Sequence, residues 1–293
     1  MFKTAIIGSL ILATVALPGK AQTEPALQDA THTIQHIRNA TLKVTYGDTT
    51  FLVDPMLADK GAYPGFENTY RSDLRNPMVT LPMPVETLLK DVDAVIVTHT
   101  HLDHWDDAAQ QHIAKDIPLF VQNTTDAGLI RSQGFTDVRV LSNEDSFSGV
   151  TLHKTGGQHG SDAIYSVPAL AEILGNVMGV VFEASGYETT YIVGDTLWRS
   201  DVEHAIQQYQ PGVIVLNTGA AEVTGFKDDP IIMGKQDTLR AHRAAPDATI
   251  VAVHMDAVNH MTVSRKELRE YVEQEGIEKA TKIPADGETL TFK

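Results

Sequence analysis

Apolar and polar residues alternate along residues 41–46, with Leu42, Val44 and Tyr46 on one side and Thr41, Lys43 and Thr45 on the other. Gly47 and Asp48 turn the chain into residues 49–53, so this stretch predicts a hairpin with one buried face. A second hairpin is predicted from residues 178–184 and 189–193, turning through Ser185 and Gly186. The unbroken apolar runs 94–97, 213–216 and 249–253 are too short for helices and suit strands covered on both faces. Helices alternate with them. Ser200 with Glu203 predicts a capping box ahead of Val202, Ile206 and Tyr209, with Pro211 as the stop, and Ser264 with Glu267 predicts another ahead of Leu268, Tyr271 and Val272, closed by Gly276. The pattern predicts an α/β fold of helix-covered sheets. Residues 55–84 and 160–175 fit neither period and read as long functional loops.

The N-terminus follows a different pattern. Lys3 precedes a mostly apolar run over residues 5–17, and Pro18, Gly19, Lys20 and Ala21 follow. One basic residue, a short apolar stretch and small residues at the cleavage positions predict a secretory signal peptide over residues 1–21. Spanning a bilayer takes roughly 20 apolar residues, so no stable membrane insertion is expected after cleavage. A leader over 22–32 and one domain over 33–293 complete the expected organisation, because no linker, repeat or low-complexity tract interrupts the rest. The expected location is outside the cytoplasm, in the periplasm of a double-membraned source.

Composition narrows the chemistry. Of 293 residues, 42% are hydrophobic and 21% charged, which is ordinary for a globular chain. A net charge of −15 repels phosphate backbones, so the expected partner is a small molecule and not a nucleic acid. The chain has no cysteine, which excludes disulfides, thiolate metal sites and a cysteine nucleophile. It has 12 histidines, and their placement carries the most information.

The apolar run 94–97 leads directly into Thr98, His99, Thr100, His101, Leu102, Asp103 and His104. On an extended segment His99 and His101 point the same way and can reach one ion, while Asp103 and His104, nearer the following helix, can hold a second. This His-x-His-x-Asp-His pattern after a strand resembles the signature of the metallo-β-lactamase fold superfamily. The resemblance implies a four-layer αββα sandwich in a single domain, with a binuclear site along one edge. It also implies later ligands, and His159, Asp195 and His254 stand in the expected order after further strands.

Carried over to this chain, the resemblance implies one ion on His99, His101 and His159. A second would lie on Asp103, His104 and His254, with Asp195 bridging. Asp54 resembles the family's early aspartate and is read as support for a ligand imidazole. His153 competes with His159, but alternation with Val150 and Leu152 puts it on the exposed strand face, which favours His159. His260 is either a pocket residue or a surface histidine.

Imidazole and carboxylate donors without thiolate suit two divalent ions, zinc first, with manganese or iron also compatible. Two such ions would share a bridging hydroxide, which implies metal-assisted hydrolysis of a small-molecule ester, lactone or phosphoester. Asp103 is the expected proton handler and Asp195 the bridging ligand. Residues 51–57, 155–160 and 253–260 resemble the branch that includes L-ascorbate-6-phosphate lactonase. β-Lactam hydrolysis is an alternative that the bridging Asp195 disfavours, and an iron-dependent oxidoreductase or an inactive binding protein would share the fold. In residues 55–84, Arg71 or Arg75 would pair an anionic substrate group, unless these residues and the neighbouring aromatics only pin the loop.

Overall fold

The computed structural model describes residues 1–2 and 31–293, so the expected signal peptide and nearly all of the expected leader lie outside the described residues. The first sheet is built from β1 (His32–Arg38), β2 (Thr41–Tyr46), β3 (Thr49–Val53), β4 (Ala94–Val97), β5 (Leu119–Val121) and β6 (Val138–Val140). The second contains β7 (Asp145–Phe147), β8 (Val150–Thr155), β9 (Gly179–Glu183), β10 (Thr190–Ile192), β11 (Val213–Asn217), β12 (Thr249–Val253) and β13 (Thr281–Lys282). The last strand, β14 (Thr289–Phe292), returns to pair antiparallel with β1, so each sheet has seven strands. Both predicted hairpins are present, as β2–β3 and β9–β10.

Period-two alternation explains the layers. Phe51, Val53, Ala94 and Ile96 face inward and meet Val180, Phe182, Val213 and Val215 of the other sheet in one buried cluster. The residues between them, Leu52, Val95 and Val97, face outward under Leu88 of α1 (Val85–Leu89), Ala109 of α2 (Asp107–His112) and Ala127 and Ile130 of α3 (Thr124–Ser132). On the far side, Tyr191, Ile214 and Ile250 pack under α6 (Ser200–Tyr209) and α7 (Lys235–Ala244). Ala252 packs under α8 (Arg265–Gln274). Strands buried on both faces therefore sit between two helical layers, the αββα sandwich expected from the sequence.

The segment expected to be one loop, 160–175, instead holds two short helices, α4 (Asp162–Tyr165) and α5 (Pro168–Leu174). Neither is long enough to display a helical period, and Pro168 occupies the first turn of α5, where its missing N–H costs nothing. The capping box expected at Ser200 is also corrected. Arg199 is the N-cap of α6, without a side-chain bond, and Glu203 accepts from Trp198 Nε1 at 2.7 Å instead. The box of Ser264 and Glu267 is present as expected. Among the described residues, no helix is long and apolar enough to cross a membrane.

Strands β3 to β6 run parallel, as do β10 to β13, and β8 shares the direction of β10 through two antiparallel pairings. The chain thus leaves β3, β4, β8, β10, β11 and β12 at their carboxyl ends, where ligands of open α/β sheets bind.

Candidate metal centre

The residues that follow these strand ends converge. Asp54 follows β3, His99, His101, Asp103 and His104 follow β4, and His159 follows β8. Asp195 follows β10, Asn217 ends β11 and His254 follows β12. Asp54 and His254 take φ of +48° and +63°, left-handed conformations that cost roughly 1–3 kcal/mol for such residues. Both backbones are held there, since Asp54 N donates to Ile96 O at 2.9 Å and His254 N donates to Asn39 O at 3.0 Å.

The donor atoms form overlapping sets. Nitrogens of His99, His101 and His159 lie within 4.8 Å of one another, as do the donors of His99, His104 and Asp195 and those of Asp103, His104 and His254. Asp195 Oδ2 lies near members of all three sets, 3.1 Å from His104 Nε2, 3.5 Å from His254 Nε2, 3.7 Å from His159 Nε2 and 4.0 Å from His99 Nε2. His254 Nε2 also lies 3.4 Å from Asp103 Oδ2.

Hydrogen bonds on the outer side fix which nitrogen faces the centre. His104 Nδ1 donates to Asp54 Oδ2 at 2.8 Å, His159 Nδ1 to Ile231 O at 2.9 Å and His101 Nε2 to Ile173 O at 2.8 Å. That leaves His159 Nε2 and His101 Nδ1 with inward lone pairs, and turns His104 Nε2 inward as the atom that holds a proton or a cation against Asp195. His104 Nε2 and His254 Nε2 are 3.1 Å apart, a distance at which a proton or a cation must lie between them. The donor set therefore fits divalent metal.

Electrostatics agree. Burial, then the neighbouring His104 and His101, hold His99 well below the usual histidine range, and burial takes His159 to about 4. Both rings are thus neutral ligands near pH 7. Burial alone would lower His104, but Asp195, Asp103 and Asp54 outweigh it and lift it well above the usual value. Burial opposes ionisation of Asp195 as well, and His104 with His254 overcomes it and keeps the carboxylate ionised. Three buried carboxylates around one imidazole are a field that favours a cation.

Several contributors carry no signature in the sequence. Asn217 Nδ2 donates to Asp195 Oδ1 at 2.6 Å and turns Oδ2 toward the histidines. Thr98 donates to both oxygens of Asp54, from N and from Oγ1, each at 2.7 Å. Asn39 Nδ2 donates to the Asp103 carbonyl at 2.9 Å.

The structure separates the remaining candidates. His153 is buried, not exposed as alternation suggested, because α6 covers that face. It stacks on Tyr209 at 4.7 Å and pairs with Glu183, outside the donor sets. His260 lines the cavity over the centre. Arg71 donates to the carbonyls of Asn259 and Met261, and Arg75 to those of Gly61 and Ala62. Neither lines that cavity.

The cavity, of about 390 Å³, is floored by His101, Asp103 and His159. Phe66 from the loop 55–84, Leu170, Ile173 and Leu174 of α5, and Val223 and Ile231 form its apolar walls. Among the described residues, no lysine or arginine lines it.

The family described as the beta-lactamase superfamily domain matches residues 49–255. UPF0173 protein YddR of Bacillus subtilis (strain 168) is 44% identical over 259 residues, covering 88% of this chain and 99% of that protein. A structure from Veillonella parvula DSM 2008, described as a possible metal-dependent hydrolase, is 52% identical with a TM-score of 0.88, over 89% of this chain and 99% of that one. An isothiocyanate hydrolase from Delia radicum gut bacteria is 51% identical with a TM-score of 0.85, over 88% of this chain and 98% of that one.

Proposed function

The chain belongs to the beta-lactamase superfamily domain family and is a metal-dependent hydrolase, and from that premise we propose that its substrates are isothiocyanates with apolar substituents. The observation that carries the proposal is the cavity. Its walls are mainly aliphatic and aromatic and its floor is the donor cluster, and among the described residues no lysine or arginine lines it to pair a charged substituent. An isothiocyanate, R–N=C=S, is linear, uncharged and electrophilic at its central carbon, so it asks for an apolar pocket beside activated water. The isothiocyanate hydrolase at 51% identity supports the same choice. With no basic side chain among the described lining residues, a phosphoester would rely on the metal ions alone for its charge, and a neutral lactone is the stronger competitor from the sequence.

We further propose two divalent ions, zinc first. His99, His101 and His159 would hold one, Asp103, His104 and His254 the other, with Asp195 shared between them. When bound, such ions supply Lewis acidity and lower the pKa of a water molecule to roughly 7. The protein's own residues do the rest. Asp54 and Asn217 orient His104 and Asp195, while the apolar walls exclude bulk water and hold the substituent. Asp103, on the cavity floor, would accept the proton lost by the attacking water.

The test is a substrate series on metal-reconstituted protein. Benzyl isothiocyanate is expected to exceed a carboxylate-bearing isothiocyanate in kcat/KM by about 100-fold or more, because an unpaired buried charge costs at least ~2–3 kcal/mol. Equal rates for the two, or a preference for a lactone or phosphodiester, would reject the assignment.

A further inference from the structure

We infer that His260 is a catalytic residue that touches the substrate, donating a hydrogen bond from Nε2 to the isothiocyanate nitrogen as water adds to the neighbouring carbon. The acceptor rests on the isothiocyanate reading, and the donor rests on geometry. His260 Nδ1 is buried without a hydrogen-bond partner, while the ring itself lines the cavity. A proton on Nδ1 would be a sealed, unpaired N–H, which proteins avoid more strictly than an unpaired acceptor. His254 Nδ1 is orphaned in the same way, but its Nε2 lies among the donor atoms, where a cation would claim the lone pair. Among the described residues His260 Nε2 has no such neighbour set, and its neutral ring is assigned the proton there.

Among the described residues, no other buried side chain in that wall is available to donate. His101 and His159 direct an N–H to the carbonyls of Ile173 and Ile231, and Asp103 offers acceptors. Thr69 gives its hydroxyl to Phe66 O at 2.6 Å, and Glu67 and Asn68 sit exposed at the mouth.

The ring is also held in place. Phe66 meets it edge to face, with centroids 4.8 Å apart and planes at 81°. Asn259, the next residue along the chain, ties that contact down. Its Oδ1 accepts from Phe66 N at 2.9 Å, and its Nδ2 donates to Tyr70 O at 2.8 Å. A rigid N–H in an apolar wall is a preorganised donor, which stabilises charge where it develops and needs no reorganisation.

The reaction balances without an added reagent. Water forms the C–O bond, the C=N π pair moves to nitrogen, and nitrogen takes the proton that water loses. The resulting thiocarbamic acid, R–NH–C(=S)–OH, passes its remaining O–H proton to nitrogen as the C–N bond breaks, which gives the amine and carbonyl sulfide. His260 bonds to the nitrogen while the pair localises there and is not itself consumed.

The experiment compares His260→Phe and His260→Gln with the wild type, each metal-reconstituted, on benzyl isothiocyanate. His260→Phe is expected to lower kcat about 100-fold with KM within threefold, the loss typical of removing one such donor. His260→Gln, which keeps an N–H, should regain about tenfold, and metal content and Tm should match the wild type in both. A kcat for His260→Phe within threefold of wild type, or a loss that only tracks metal loss, would overturn the inference. Binding of S-methyl N-benzylthiocarbamate separates this inference from the substrate reading. If wild-type protein leaves the isothiocyanate intact but binds this ligand tenfold more tightly than His260→Phe does, the substrate reading fails and the His260 contact stands. Equal binding by the two proteins, or none by either, overturns the contact.

Discussion

Asp195→Ala is expected to lose metal and to lower turnover by at least about 10³-fold, the largest effect of any single substitution at the centre. Oδ2 of this residue lies within 4.0 Å of a nitrogen on each of His99, His104, His159 and His254. Removing it takes one donor from both proposed ions and the counter-charge that stabilises the cluster. Replacing an outer partner of a ligand typically costs 10–100-fold in metal affinity, which sets the scale for Asn217→Ala, and a direct bridging ligand should exceed it. Metal analysis after exhaustive dialysis, paired with kcat, checks this. Two ions retained at full rate by Asp195→Ala would mean the bridging ligand has been misassigned.

The second large effect lies away from the metal. Arg38, at the end of β1, is fully buried, and its guanidinium donates to the carbonyls of Val79, Met56 and Ala58. These lie at both ends of the loop 55–84 that delivers Phe66 to the cavity. Asp106 joins the clamp, accepting from Ala58 N at 2.8 Å while it caps α2. Burial pushes Arg38 down to about 10, so it remains charged near neutrality and its hydrogen bonds are charge-assisted. Arg38→Ala would leave three carbonyls unpaired around a side-chain-sized void, a loss of about 3–5 kcal/mol. That corresponds to a fall in Tm of roughly 10 °C for a domain of this size. KM for the isothiocyanate should rise as Phe66 loses its seat. Arg38→Lys should recover only part of the loss, because an ammonium cannot reproduce the planar fork. Thermal unfolding decides it, and a Tm within 2 °C of wild type for Arg38→Ala would contradict the clamp.

The contrast between these two residues explains what the sequence could reveal. His99 to His104 are legible because potential metal ligands cluster in six consecutive positions after an apolar strand, so the signal is local. His159, Asp195 and His254 become legible through order along the chain. Asn217 does not, because its meaning arises when β10 and β11 pair in parallel and bring it to Asp195, and an asparagine ending a strand is otherwise unremarked. Arg38 is equally silent, since a lone arginine in a strand gives no sign that three carbonyls from a distant loop will surround it.

The fold followed the same rule. Strands buried on both faces and the two hairpins are written in local period and turn residues. Helices α4 and α5 span 4 and 7 residues, too short for a 3.6-residue period to stand out. Yet α5 supplies much of the apolar wall, so the feature that points to the substrate was the least legible. His153 shows the converse error. Alternation correctly put it opposite Val150 and Leu152, but which face of a sheet is covered depends on where α6 packs.

The measurement that tests the central claim most directly is mass balance on benzyl isothiocyanate with metal-reconstituted protein, with and without chelator. One benzylamine and one carbonyl sulfide per isothiocyanate consumed are expected, stopped by chelator and restored by zinc. Consumption unaffected by chelator, or none with metal confirmed bound, would contradict the claim that this centre hydrolyses isothiocyanates.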